Sequence, residues 1–296
     1  MIMYEDYDLI CVLGPTACGK TKYAVGLAAE IGGEILSADS RQVYKGMDIG
    51  TGKDLCDYTY TAPDGSQAVI PYHLIDIADA GTKYNIFQYQ KDFEIAFKDI
   101  VSRGKRTVLC GGSGLYIEAA TCGYSLPDVP PDQELREELD KLETSELISR
   151  FEAMRKPHNK TDYDTRKRLI RALEIAIYED SHPIVKSSFL PKKTKYIGLS
   201  ISREERNRKI DARLRSRLEE GMIDEVKKLI NSGIPPEDLI YYGLEYKFVT
   251  LYLTGTITYE QMVESLSIAI HQFAKRQMTW FRGMERRGIE IEWINV

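Results

Sequence analysis

No stretch of this chain approaches the roughly 20 consecutive apolar residues that a membrane helix requires. Its first residues, Met-Ile-Met-Tyr-Glu-Asp-Tyr-Asp, are acidic where a secretory signal is basic. The expectation is therefore a cytoplasmic protein with no membrane partner. Cysteine is scarce: Cys11, Cys18, Cys56, Cys110 and Cys122 form no C-x-x-C pair and no metal-ligand spacing. That excludes a disulfide framework and a zinc module, and leaves Cys11 and Cys110 as packing residues inside strands. Internal repeats and low-complexity tracts are missing as well, which removes solenoids and disordered linkers from consideration.

What is present is an ordinary globular composition, 43% hydrophobic and 29% charged over 296 residues, enough for one large domain or a domain with an insertion. The net charge of −5 conceals an asymmetry. Residues 1–120 hold 11 Lys+Arg against 16 Asp+Glu, whereas residues 161–217 hold 15 against 8, a local balance of +7. A basic block inside an acidic chain suggests a polyanion-binding face, although a solvated helix surface with counter-charges nearby accounts for the count equally well.

The motif that organises the rest is Gly14-Pro15-Thr16-Ala17-Cys18-Gly19-Lys20-Thr21, which matches the G-x-x-x-x-G-K-[ST] phosphate loop. In that loop glycines permit close backbone approach, amides wrap a phosphate, Lys20 adds a point charge and Thr21 can ligate Mg²⁺. The apolar run Leu9 to Leu13 before it predicts a buried strand. Thr21 to Ile31 after it predicts a helix whose N-terminus faces the anion. On these residues alone the phosphate can belong to ATP, GTP or a ligand that is not a nucleotide.

Further along, Glu34 to Asp39 predicts a second strand that delivers Asp39 to the ligand end of a doubly wound sheet, a structural Asp capping the next turn being the alternative. Residues 57–71 carry a Pro-Asp-Gly-Ser turn and predict an excursion. Tyr72 to Ile77 predicts a short strand, with His73 expected as a buried, hydrogen-bonded histidine in preference to a catalytic one. The strand at Thr107 to Gly111 ends in Gly111-Gly112-Ser113-Gly114, where a motor-type ATPase would carry an acidic residue for Mg²⁺. Pro127, Pro130 and Pro131 mark a boundary. Residues 132–156 are charged and helical in pattern, with Leu135, Leu139, Leu142, Leu147 and Phe151 at helical spacing, and a connection from Pro157 leads into the helix Arg166 to Glu179, with Leu169, Ile170, Leu173 and Ile177 inward. Tyr196 to Ile201 predicts a return to strand, with Arg203 at its end. A helix is expected over 204–230 and a capping box at Thr258 and Gln261 opening a long helix with Met262, Leu266, Ala269 and Phe273 inward. Ile289 to Trp293 is expected as the last strand.

Several of these stretches together resemble the tRNA dimethylallyltransferases: the loop at 14–21, Ser37-Ala-Asp-Ser-Arg-Gln-Val-Tyr-Lys-Gly-Met-Asp-Ile-Gly-Thr51, His73-Leu-Ile-Asp76, Gly111 to Tyr116, Arg168 to Glu174 and Ala274 to Trp280, in family order along nearly the whole chain. The resemblance implies an α/β fold, a P-loop NTPase-like parallel sheet flanked by helices, with a core at 1–123 and 191–296 and a helical, tRNA-gripping insertion at 124–190. It implies transfer of a dimethylallyl group from dimethylallyl diphosphate to N6 of the adenosine immediately 3′ of the anticodon, with Mg²⁺ as cofactor, the anticodon stem-loop of tRNA as partner, and a monomeric enzyme.

By position, Asp39 matches the general base, Thr16, Lys20 and Thr21 match diphosphate and Mg²⁺ contacts, and Arg203 a diphosphate-binding arginine. Ser40, Arg41 and Gln42 match the strip beside the flipped adenine. Lys167, Arg168 and Arg171, together with Lys275, Arg276, Gln277 and the segment to Arg282, match RNA contacts. The chain departs from the family at Cys18, where Ser is usual, at Gly52-Lys53-Asp54, where Ala-Lys-Pro is common, and at Asp162 to Thr165, where His-Pro-Asn-Asp is usual. Competing readings are an isopentenyltransferase acting on free AMP, ADP or ATP, a small-metabolite kinase using the loop for ATP, and a non-catalytic RNA-binding module.

Overall fold

The computed structural model describes residues 4–123, 129–154, 165–182, 191 and 193–296. Contacts divide the chain into two units, one of residues 1–123 and 189–296 and the other of residues 124–188.

The first unit is built on strand β1 (Leu9–Leu13), all five residues of which are buried. A strand buried on both faces reads as a continuous apolar run, which is why Leu-Ile-Cys-Val-Leu shows no alternation. β2 (Gly33–Ser37), a hairpin of β3 (Thr59–Thr61) and β4 (Gln67–Val69), β5 (Tyr72–His73), β6 (Arg106–Gly111), β7 (Thr194–Ser200) and β8 (Ile291–Asn295) follow. Six of them form one sheet in the order β5-β2-β6-β1-β7-β8, every neighbouring pair parallel.

The pleat then sorts β1 by parity. Ile10 and Val12 pack with Ala24, Val25 and Ala28 of α1 (Lys20–Ile31). Leu9, Cys11 and Leu13 face Phe93, Phe97 and Ile100 of α2 (Ile86–Ser102) and Ile117 of α3 (Gly114–Thr121). Burial pushes the Cys11 thiol well above its ordinary value and that of Cys110 up to about 12, so both stay protonated as core thiols.

In the second unit α4 (Gln133–Asp140), α5 (Thr144–Met154) and α6 (Arg166–Ser181) close around Leu139, Leu147, Phe151, Leu169, Ile170 and Leu173. Pro127 and the connection at 157–164 lie outside the described residues. The remaining helices belong to the first unit: α7 (Arg203–Glu219), α8 (Met222–Asn231), α9 (Pro236–Tyr241), α10 (Leu244–Leu253) and α11 (Tyr259–Arg286). They share a core with Val43, Tyr44 and Met47.

Four sequence expectations change. The helix expected over 204–230 is two, because Gly221 takes a left-handed φ of 102° that ends one helix and caps the next. The strand expected over Tyr72 to Ile77 stops at His73, since Leu74 and Asp76 have φ of 65° and 56° and the chain bends to bond Gln42 and Val43. The last strand starts at Ile291, because the Ile289 amide is taken by the Met284 carbonyl at the end of α11. On α11 the buried stripe runs Met262, Leu266, Ile270, Ala274, Gln277, Phe281 and Met284, while Phe273 is 38% exposed. A stripe held over 28 residues must step by both three and four, and a pattern read from the first turns alone drifts off it. The Thr258 and Gln261 capping box forms with both its hydrogen bonds. No helix among the described residues is long and apolar enough to cross a membrane.

Candidate active site

β1 ends at the phosphate loop. A Cβ on Gly14 would stand 2.8 Å from the Leu199 carbonyl oxygen and 2.9 Å from Cys18 Sγ, so only glycine lets the loop leave the sheet here. Ala17 and Gly19 are left-handed, with φ of 63° and 87°. Gly19 caps α1 without any side chain, which leaves the first amides of that helix to an anion. Lys20 Nζ donates to the Pro15 carbonyl at 2.8 Å and lies 3.9 Å from Cys18 Sγ, folding back across the loop. Cys18 is 2% exposed, a small side chain filling the loop's interior. Thr21 is half-buried in the first turn of α1.

Thr16 is held from two sides. Its amide donates to Gln277 Oε1 at 2.8 Å, and its hydroxyl accepts from Arg213 Nη2. Burial, then the neighbouring Arg217, pushes the Arg213 guanidinium down to about 10, still charged at neutral pH. Arg217 is itself buried on α7, with Nη2 3.8 Å from Asp54 Oδ2. The Glu245 carboxyl on α10 is raised by burial against the opposing pull of Arg217 and Arg213. Gly52 has φ of 66°, and a Cβ there would fall 1.9 Å from Arg217 Nη2. That approach explains why this chain carries glycine at the first position of its Gly52-Lys53-Asp54 departure.

Asp39 follows β2. Its Oδ1 accepts from the amides of Arg41 at 2.8 Å and Gln42 at 3.4 Å, folding the carboxylate over its own turn. The strip is tied to the glycine turn after β6. The Ala38 amide donates to Cys110 O, the Ser113 amide donates to Ala38 O, and the Ser40 amide donates to Ser113 Oγ at 3.1 Å. A Cβ on Gly111 would stand 2.3 Å from Ala38 O, so the absence of an acidic side chain at this strand end has a steric reason as well as a chemical one. Gln42 Nε2 donates to Gly52 O at 2.9 Å, and the Arg41 guanidinium lies 5.6 Å from the centre of the Tyr241 ring. The loop at 47–53 is fixed by Glu225, whose carboxylate accepts from the amides of Asp48, Ile49 and Gly50, and by buried Lys53, which donates to Tyr44 O, Asp48 and Asp76.

The other sequence-predicted residues separate into groups. Arg203, first residue of α7, and Lys275 line a cleft of about 520 Å³ with Pro15, Arg206, His271 and Arg282, so this cation set borders the phosphate loop. Arg276 is exposed beside Phe273. Gln277 is buried, 7% exposed, and donates from Nε2 to Gly112 O at 2.9 Å. In the helical unit Lys167 and Arg168 are exposed on α6. Arg171 is engaged internally: it pairs with buried Glu174, which Arg136 also contacts at 2.9 Å, and donates to Val129 O at 2.8 Å. His73 Nε2 is 2.7 Å from Glu34 Oε2 on the sheet edge, the hydrogen-bonded structural histidine.

A model of the family described as IPP transferase matches residues 42–284. The chain belongs to the IPP transferase family. A model described as isopentenyl transferase matches residues 7–58, which hold the phosphate loop and Asp39. The chain is 55% identical to tRNA dimethylallyltransferase 1 of Parabacteroides distasonis, over 98% of this chain and 93% of that protein. It is 57% identical to tRNA dimethylallyltransferase 1 of Porphyromonas gingivalis, over 97% and 93%. The fold is that of the full-length tRNA isopentenylpyrophosphate transferase of Bacillus halodurans, with a TM-score of 0.67 and 34% identity over 98% of this chain and 90% of that one. The sheet and its flanking helices are thus the P-loop NTPase-like core of an IPP transferase.

Two residues of this candidate site, Arg213 and Glu245, escaped sequence reading, and Ser113 was read without its partner. Arg213 stands among six arginines between 203 and 217, Arg203, Arg206, Arg208, Arg213, Arg215 and Arg217, with Lys209 between them giving one cationic run, and nothing in that run marks it. The available signal was Arg217, which shares the buried side of α7 with Ile210 and Leu214 and so brings a cation inward one turn from Arg213. Glu245 opens α10, in a region without a recognised motif. Ser113 was seen as part of a glycine turn, and its bond to Ser40 is a matter of strand order.

Proposed function

We propose that this chain transfers the dimethylallyl group of dimethylallyl diphosphate to N6 of the adenosine immediately 3′ of the anticodon in tRNA, releasing diphosphate. The observation that carries this reading is the joining of two half-sites, the phosphate loop with its half-buried Arg213 and the Asp39 strip, through the glycine turn at 111–114. The names of the relatives support the same assignment.

An exocyclic adenine amine is a weak nucleophile, because its lone pair is delocalised into the ring. Asp39 removes its proton as the C–N bond forms, a contribution of about 10²- to 10⁴-fold. Both described hydrogen bonds to that carboxylate fall on Oδ1, which leaves Oδ2 for the amine. The bond from the allylic carbon to the diphosphate oxygen breaks, and its electron pair leaves with the diphosphate. Arg213, Lys20 and the loop amides stabilise that growing charge. Among the described residues no group of three or more His, Cys, Asp or Glu side chains gathers to cage a metal. Mg²⁺ held mainly by substrate phosphates needs only one or two protein oxygens, and the Thr21 hydroxyl at the start of α1 fits that role. When bound, Mg²⁺ neutralises diphosphate charge.

The adenine leaves its stack to reach Asp39, at a cost of a few kcal/mol that is smaller in a hairpin loop than in a duplex. Arg203, at the start of α7 in the cleft it shares with Pro15, is assigned to the diphosphate, while Lys275 and Arg276 in the first unit and Lys167 and Arg168 in the second supply cations for RNA phosphates, the helical unit serving as the grip on the anticodon stem. The enzyme acts as a cytoplasmic monomer in this reading. Purified protein with Mg²⁺ and labelled dimethylallyl diphosphate is expected to label an anticodon stem-loop without ATP. Label on free AMP at comparable efficiency, with little on RNA, would overturn the assignment.

A further inference from the structure

Gln277 matches the RNA-contacting segment of the family, yet here its amide is turned inward. Oε1 accepts the Thr16 amide at 2.8 Å, and Nε2 donates to the Gly112 carbonyl at 2.9 Å. Both groups belong to the backbone, one in the phosphate loop after β1 and the other in the glycine turn after β6. β1 and β6 are adjacent parallel strands, so the amide spans the gap where their ladder ends.

The far side of that gap carries the acceptor half of the site. From Gly112 the chain runs to Ser113, whose Oγ receives the Ser40 amide at 3.1 Å and whose own amide bonds Ala38 O at 3.2 Å, on either side of Asp39. The neighbouring glycine is shaped to the same purpose: a Cβ on Gly112 would stand 2.3 Å from Gln277 Nε2. A buried primary amide satisfied at both ends costs little, whereas losing either partner leaves a buried polar group unpaired.

We infer that Gln277 is a positioning residue for the transfer reaction, a clip that fixes the diphosphate seat relative to the Asp39 turn. The inference rests on the proposed transfer reaction. Its physical content is that the leaving group and the general base must be held at one separation. Misplacement by about 1 Å lowers rate by about 100-fold. Gln277 touches neither RNA nor diphosphate in this role.

Three variants test it. Gln277→Met keeps the side chain's length and removes both hydrogen bonds. Gly112→Ala leaves Gln277 in place and pushes its Nε2 away, so it reports on the clip even if the first variant folds poorly. Gln277→Glu accepts from Thr16 but donates to Gly112 only when protonated. The first two are expected to lower kcat/KM for dimethylallyl diphosphate by about 10- to 100-fold, weaken inorganic diphosphate binding, and leave the Kd for an anticodon stem-loop within about 2-fold. For Gln277→Glu, activity relative to the native protein at the same pH is expected to rise as pH falls. Weakened stem-loop binding with unchanged diphosphate affinity would assign Gln277 to RNA instead, and unchanged kcat/KM in both neutral variants, or a flat Gln277→Glu ratio, would equally overturn the clip. Failure of the native protein to transfer label sinks the proposed reaction; the diphosphate titrations then still decide whether the clip shapes the loop.

Discussion

Arg213 and Thr16 stand 197 residues apart in the chain and are joined by a hydrogen bond from the guanidinium Nη2 to the threonine hydroxyl. The contact sets a half-buried cation on the rim of the phosphate loop, and desolvation lowers that cation to about 10. A partly desolvated positive charge next to an anion seat gains when the anion arrives, because part of its water has been removed in advance.

Arg213→Lys keeps the charge and loses the planar fork. The variant is expected to lower kcat/KM for dimethylallyl diphosphate by about 10²-fold, with stem-loop affinity unchanged. Steady-state kinetics beside an RNA titration checks this. A lysine variant with native kinetics would make Arg213 a packing residue only.

Asp39→Asn retains Oδ1 and therefore its bonds from the Arg41 and Gln42 amides, so the turn is expected to survive. Transfer should fall by at least about 10²-fold while melting temperature and RNA binding stay near native. Loss of RNA binding in parallel with activity would show that the carboxylate shapes the site and does not act in the chemistry.

Glu34 gives a pH signature. The Arg103 hydrogen bond, assisted by that of His73, pulls its carboxyl from 4.5 to about 2. A folded value below the unfolded one means stabilisation that is complete above about pH 4.5 and fades as pH falls toward 2. Glu34→Gln is expected to lower stability at pH 7 by about 1 kcal/mol, since Arg103 is 41% exposed and screened by water. The variant should also flatten the fall of melting temperature between pH 4.5 and 2. Parallel melting curves for both proteins across that window would refute the assignment.

Lys167 and Arg171 were equivalent in sequence and are not equivalent in structure. Lys167→Ala is expected to reduce the salt dependence of stem-loop binding by about one counterion. Arg171→Ala should chiefly lower thermal stability, by about 1–3 kcal/mol, because buried Glu174 loses one of its two arginines. Glu174 sits below its ordinary value although burial alone would raise it, so Arg136 and Arg171 together outweigh desolvation. Equal salt effects in the two variants would contradict this division.

Gly111→Ala would drive a Cβ to 2.3 Å from the Ala38 carbonyl oxygen, a backbone atom with no room to yield. Destabilisation of about 1–3 kcal/mol is expected, measured by urea denaturation. Gly104→Ala serves as the comparison: it has φ of 70° with nothing within 4 Å, so any loss there is conformational strain alone.

The fold class and half of the site were legible because they depend on short-range pattern. Leu9 to Leu13 must be a strand buried on two faces, Gly14 to Thr21 must turn tightly into a helix, and Thr258 with Gln261 must open one. Each is settled within about one turn of its own residues. Asp39 was reachable because a carboxyl end of a parallel strand lies beside the loop in any such sheet. The short strand at Tyr72–His73 and the break at Gly221 were not legible, since single residues in left-handed conformation decided them.

The sequence by itself determined the phosphate loop, the parallel sheet and the Asp39 position, through glycine placement and apolar runs that hold whatever surrounds them. Only the tertiary structure decided which cation meets Thr16, that Arg171 serves Glu174, and that Gln277 faces inward to the loop and the glycine turn. Those choices depend on which side of a helix is buried and on which strands become neighbours. Side chains of one type that differ in nothing locally, such as the arginines of α7, are told apart by burial alone.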